Sequence, residues 1–210
     1  MQSRPPQVLA LVASSTCVLA VVTLIAGFLE IGPHARHMIA HTLTMNVAAP
    51  ALGAILLARY PRPVRGVSLL WSATFAQIAV IWTWHVPIAQ TLMPHAPGGM
   101  VVMHIVLLVV AMAFWASLFS LPAPSRWQAI PALLLTGKLV CLLAALLVFA
   151  PRALYGAHAT HGLGDQHLAG LLMLAACPLS YLVAAVFVTV HLIGAGEPSR
   201  EMPPIQRTAG

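Results

Sequence analysis

Apolar and polar positions alternate along this chain in long blocks rather than at helical or strand period. Six apolar runs stand out: Val8–Phe28, Met38–Leu57, Val67–Val86, Met100–Leu121, Ala129–Phe149 and Leu168–Ile193. A helix rising 1.5 Å per residue needs about 20 apolar residues to cross a bilayer, and each run meets that length. Helix breakers separate them: Gly32-Pro33, Tyr60-Pro-Arg-Pro63, Pro94 with Pro97-Gly-Gly99, Pro122 with Pro124, and Pro151. The pattern predicts an all-α, polytopic membrane bundle of about six transmembrane helices over residues 1–196. Residues 197–210 are polar and proline-containing, and are expected to form a disordered tail. The first run follows Arg4 as a signal peptide would. It is longer than the ~7–15 residues of a cleaved apolar region and lacks a clear A-x-A site, so a retained span is expected.

Composition supports the same class. The 210 residues are 60% hydrophobic and 7% charged, where a soluble domain carries roughly 25% charge. No stretch is left that would form a separate soluble domain. The net charge of +6 does not point to nucleic acid, because the cations form no cluster interleaved with aromatics. They sort by topology instead. With the N-terminus inside, Arg4, Arg59, Arg62, Arg65, Arg126, Arg200 and Arg207 fall on the inner side, and Arg36 and Arg152 on the outer. That bias places both termini in the cytoplasm. Cys17, Cys141 and Cys177 lie far apart in apolar runs. Neither a disulfide framework nor a thiolate zinc site is expected from them.

The histidines change the picture. On this topology nine of the ten fall at the non-cytoplasmic ends of the spans: His34, His37 and His41, then His85, His95 and His104, then His158, His161 and His167. Only His191 approaches the inner face. His37, His41 and Met45 recur at i, i+4 and i+8, on one helix face. Met100 and His104 form a second i, i+4 pair. Imidazole and thioether together suit copper, and thioether favours Cu(I). Taken singly, each histidine is a ready hydrogen-bonding group between helices. Sorting to one depth is what a collection of incidental core histidines would not show.

Asp165 is the only acid between Glu30 and Glu197. Two roles suit it: N-cap of the sixth span, or a carboxylate that binds metal or fixes a histidine tautomer. Lys138, in the middle of the fifth run, either snorkels toward the inner face or pairs inside the bundle, and an interior position is expected. The chain has no HExxH, no GxSxG and no Walker A motif. Nothing in it makes a case for catalysis.

Several elements occur in a specific order: His37-Met-Ile-Ala-His41 with Met45-Asn-Val-Ala-Ala-Pro50, then Trp84-His85-Val-Pro87, then His104 ahead of Phe114-Trp115, then Asp165-Gln-His-Leu-Ala-Gly170-Leu-Leu-Met173. In these residues the chain resembles the CtaG family of membrane-embedded cytochrome c oxidase assembly factors, the Bacillus type. The resemblance runs from about residue 34 to residue 175. It implies a multi-pass protein of the bacterial plasma membrane that helps to mature haem-copper oxidase by handling copper. The matching positions are His37, His41, His85, His104 and Asp165; His158, His161 and His167 lie outside the motifs.

The leading expectation is a copper-binding assembly factor, with no enzymatic activity. It would hold Cu(I) near the outer face on His37, His41, His85 and His104. Met38, Met45 or Met173 would add soft ligands, and Asp165 would orient or neutralise the site. Its partners would be haem-copper oxidase subunits and membrane lipid, with no nucleic acid, and a periplasmic donor would supply the copper. The alternatives are a b-type haem protein using two facing histidines, a membrane copper transporter, and a scaffold with incidental histidines.

Overall fold

The computed structural model describes residues 31–60, 66–92, 97–155 and 162–196. The described chain is helical, with no strand. Five of its helical stretches are long and apolar enough to cross a membrane: Pro33–Arg59, Val67–Trp84, Gly99–Phe119, Ala123–Val148 and Gly162–Gly194. They coincide with the second to sixth apolar runs, with ends shifted by a few residues. The first run and the polar tail lie outside the described residues, as do His95, His158 and His161.

The first of these stretches is compound. Helix α1 (Pro33–Leu43) leads into a π-helical turn, Thr44–Ala48, and then into α2 (Ala49–Arg59). Pro50 explains the wide turn. A proline in helix offers no N–H and its ring clashes with the carbonyl four residues back, here that of Asn46. A π turn relieves both by lengthening the hydrogen-bonding reach, and the Ala49 N–H bonds the carbonyl of Thr44, five residues back. The remaining elements are α3 (Val67–Trp84), the short α4 (Pro87–Leu92), α5 (Gly99–Phe119), a 3₁₀ turn (Ala123–Gln128), α6 (Ala129–Val148) and α7 (Gly162–Gly196). The short α4 had no signal in the apolar pattern.

Packing closes the spans into a ring. Helix α1 lies on α7, and α2 crosses onto α5. Helix α5 also packs on α3, α3 on α6, and α6 on α7. Small residues set the close approaches. A Cβ at Gly170 of α7 would lie 2.8 Å from the Val148 side chain and 3.2 Å from the Ala144 carbonyl of α6. One at Gly53 of α2 would lie 3.2 Å from the backbone of Ala116 in α5. In lipid, where apolar burial no longer drives helices together, such contacts supply much of the association. The shared core includes Leu70, Ile81, Leu107, Phe114, Leu133, Val140 and Tyr181.

Helices α1 and α7 run parallel. At one level Asp165 reaches His34 and Ala35; deeper, Thr42 and Asn46 both reach the Cys177 thiol. The starts of α1, α5 and α7 and the end of α3 therefore share one end of the bundle. Arg59 closes α2 at the opposite end.

Candidate metal centre

Three helices bring the histidines together. His37 and His41 project from successive turns of α1, His104 from the second turn of α5, and His85 caps the C-terminus of α3. The rings of His37 and His41 are 4.3 Å apart between centroids. His104 lies 5.2 Å from each of them, and His85 lies 5.8 Å from His41. Ligand nitrogens of His37, His41 and His104 all fall within 4.8 Å of one another. Nitrogens sharing one ion at about 2 Å each would be about 3.5–4 Å apart, so ring rotation of about an ångström would close a three-imidazole site.

Backbone carbonyls set the tautomers. A carbonyl only accepts, so the ring nitrogen facing it carries the proton. The His85 Nδ1–H donates to the Ile81 carbonyl at 2.7 Å, and the His104 Nδ1–H donates to the Met100 carbonyl at 2.8 Å. In the neutral rings Nε2 then keeps its lone pair free, which is how metal-binding imidazoles are commonly oriented. The Nε2 atoms of His37, His41 and His85 are buried without a hydrogen-bond partner. Beside His104, an open recess of about 380 Å³ is lined by Thr44, Met100, Val101, Ile105 and Leu108.

Asp165 sits at the edge of this cluster and has an unexpected task. It lies in the first turn of α7, yet its carboxylate caps α1. Oδ2 accepts the backbone N–H of His34 at 2.8 Å and Oδ1 that of Ala35 at 3.0 Å. The His34 ring approaches the same carboxylate through Nδ1 at 3.1 Å. The first N–H groups of a helix have no intrahelical partner, and Gly32 and Pro33 supply no side chain to serve them. Gly32 is required by space, because a Cβ there would overlap the Asp165 carboxyl group.

The next two residues hold other elements. Gln166 accepts the Leu154 N–H at 2.7 Å and donates to the Leu147 carbonyl at 3.3 Å. His167 faces the Ala150 carbonyl at 3.4 Å. The Asp-Gln-His triplet thus ties α7 to α1, to the end of α6 and to the segment after it.

That segment contributes Tyr155, which nothing in the apolar pattern singled out. Its ring stacks on His34 at 5.6 Å, and its hydroxyl donates to the His85 carbonyl at 2.9 Å. Burial pushes its phenol up to about 12, so it acts as a donor at neutral pH. Met45 is buried in the core cluster with Met38 and Met173, and its carbonyl accepts the Trp115 indole N–H at 3.0 Å. The free Cys177 is buried deeper in the bundle, and the free Cys141 is half-buried on α6.

Lys138 departs from the interior position expected of it. It is exposed on α6, because Thr136, Gly137 and Val140 take the packed face and residue 138 is turned about 100–160° away from them.

Searches among curated proteins and among solved structures give no match. A family model, Cytochrome c oxidase caa3 assembly factor (Caa3_CtaG), matches residues 6–195. That match covers most of the chain, including every span described above and all four clustered histidines, and the chain belongs to the cytochrome c oxidase caa3 assembly factor family.

Proposed function

We propose that the protein receives Cu(I) at the outer end of its bundle and hands it to a haem-copper oxidase subunit in the same membrane. The observation that carries this reading is the convergence of His37, His41 and His104, with the Nε2 atoms of His37 and His41 buried and unpaired. A buried polar atom without a partner costs about 1–3 kcal/mol, and a metal bond to its lone pair removes that cost.

Imidazoles with no carboxylate among them suit a borderline ion such as copper better than a hard one, and a thioether nearby favours Cu(I). His85, next to His41, would add a fourth nitrogen or accept the ion during transfer. Met45, one further turn along from His41, would supply a thioether. Asp165 would act indirectly, by holding the start of α1 and so the depth of His37 and His41. Transfer would proceed by ligand exchange, with no covalent chemistry, through the recess beside His104. A soluble donor on the outer side would load the site.

A b-type haem fits less well. The imidazoles contact one another directly, which leaves no slot between facing rings for a porphyrin.

The test is copper bound per chain after Cu(I) loading under reducing conditions, compared with a His37→Ala/His41→Ala double variant. About one copper in the wild type and none in the variant supports the reading. Equal copper in both refutes the site, and a Soret band on the purified protein would replace copper with haem.

A further inference from the structure

Lys138 is exposed near the middle of a helical stretch long and apolar enough to cross a membrane. Helix α6 spans Ala129–Val148, so residue 138 lies roughly 14–15 Å from either end at 1.5 Å per residue. Its four-carbon stem covers less than half of that distance. Leu134, Leu142 and Leu146 are exposed above and below it at the same helical position, and they make an apolar stripe with one charge at its centre. A charged group at this depth is costly and ordinarily meets a partner.

The described residues offer no such partner. Its four acids are Glu30, Asp165, Glu197 and Glu201. None lies inside an apolar run, and Asp165 is committed to the start of α1. Among the described residues no carboxylate reaches the level of Lys138.

We propose that the Leu134–Lys138–Leu142–Leu146 stripe is a docking face for a transmembrane helix of another protein that carries Asp or Glu at mid-membrane depth. The carboxylate pairs with the ammonium in the lipid, and the leucines pack on the apolar flanks of the incoming helix. The face is separate from the histidine cluster, so the proposal stands independently of copper.

A synthetic probe tests it: a dansyl-labelled polyleucine transmembrane peptide with one central Glu, beside an otherwise identical peptide with Gln. Each is reconstituted in phosphatidylcholine vesicles with the full chain, and association is read by energy transfer from tryptophan. The Glu peptide should bind about 3- to 10-fold more tightly than the Gln peptide. Lys138→Leu should abolish that difference and Lys138→Arg should keep it. Equal binding of both peptides to the wild type overturns the proposal, as does a Glu preference that survives in Lys138→Leu. The substituted side chain is exposed, and an unchanged thermal unfolding midpoint shows that each variant retains the fold.

Discussion

The Asp165 carboxylate caps α1 by accepting the backbone N–H of His34, 131 residues before it in the chain. One residue of α7 therefore sets where α1 starts, and with it the height of His37 and His41 in the bundle. Replacing Asp165 by Ala should cost at least the ~1–2 kcal/mol typical of a lost helix cap, and more because the carboxylate is buried. Asp165→Asn, which keeps one acceptor oxygen, should fall between Ala and the wild type. Thermal unfolding in detergent measures the order, and an Ala variant as stable as the wild type would remove the capping account.

Gly32→Ala should reproduce the Asp165→Ala phenotype without touching the carboxylate. The new methyl would occupy the place of the carboxyl group, so the group must swing away from His34 and Ala35. Copper retention and unfolding midpoint should both drop, and combining the two substitutions should add little beyond either alone.

Within the cluster, substitutions should be graded. His37→Ala, His41→Ala and His104→Ala each remove one of three convergent nitrogens, and each should weaken Cu(I) binding by at least about 10–100-fold. His85→Ala should weaken it less, because His85 lies beside the group of three. Competition with a colorimetric Cu(I) chelator ranks the four. A His85 effect as large as that of His41 would make His85 a full ligand.

Tyr155→Phe removes the donor to the His85 carbonyl and keeps the ring stacked on His34. A loss of about 1 kcal/mol in stability is expected for one hydrogen bond, with copper stoichiometry unchanged. Copper loss in this variant would mean that the tyrosine positions His85 for the metal.

Gly170→Ala tests the helix packing alone. Its methyl would press on the Val148 side chain and the Ala144 carbonyl, and overpacking of this kind costs about 1–3 kcal/mol. The unfolding midpoint should fall while the copper bound per folded chain stays constant.

Much of this protein is legible in its sequence because a bilayer imposes a simple rule. Backbone polar groups in lipid must be satisfied within the segment, so a long apolar run has only one good conformation. The five described spans follow from that rule. The gathering of His37, His41, His85 and His104 at one end follows from counting residues along those spans, and the i, i+4 spacing places His37 and His41 on one face. The same counting could not find Tyr155, which lies in a connection with no repeat to mark it. It also could not choose between the roles open to Asp165, since capping its own helix and reaching another look alike from spacing.

What the sequence alone determined is therefore the helical class, the shared level of His37, His41, His85 and His104 and the neighbours each has within one helix, all of them local consequences of periodicity and hydropathy. The tertiary structure decided which helices adjoin. That choice brings His104 of α5 against α1, sends Asp165 to the start of α1, and leaves Lys138 facing outward. These outcomes depend on shape: on Gly53 and Gly170 letting backbones approach, and on the π turn before Pro50 between the part of the first described span that lies on α7 and the part that lies on α5. Lateral order in a ring of similarly apolar helices is set by such small differences in packing, which no period along one chain records.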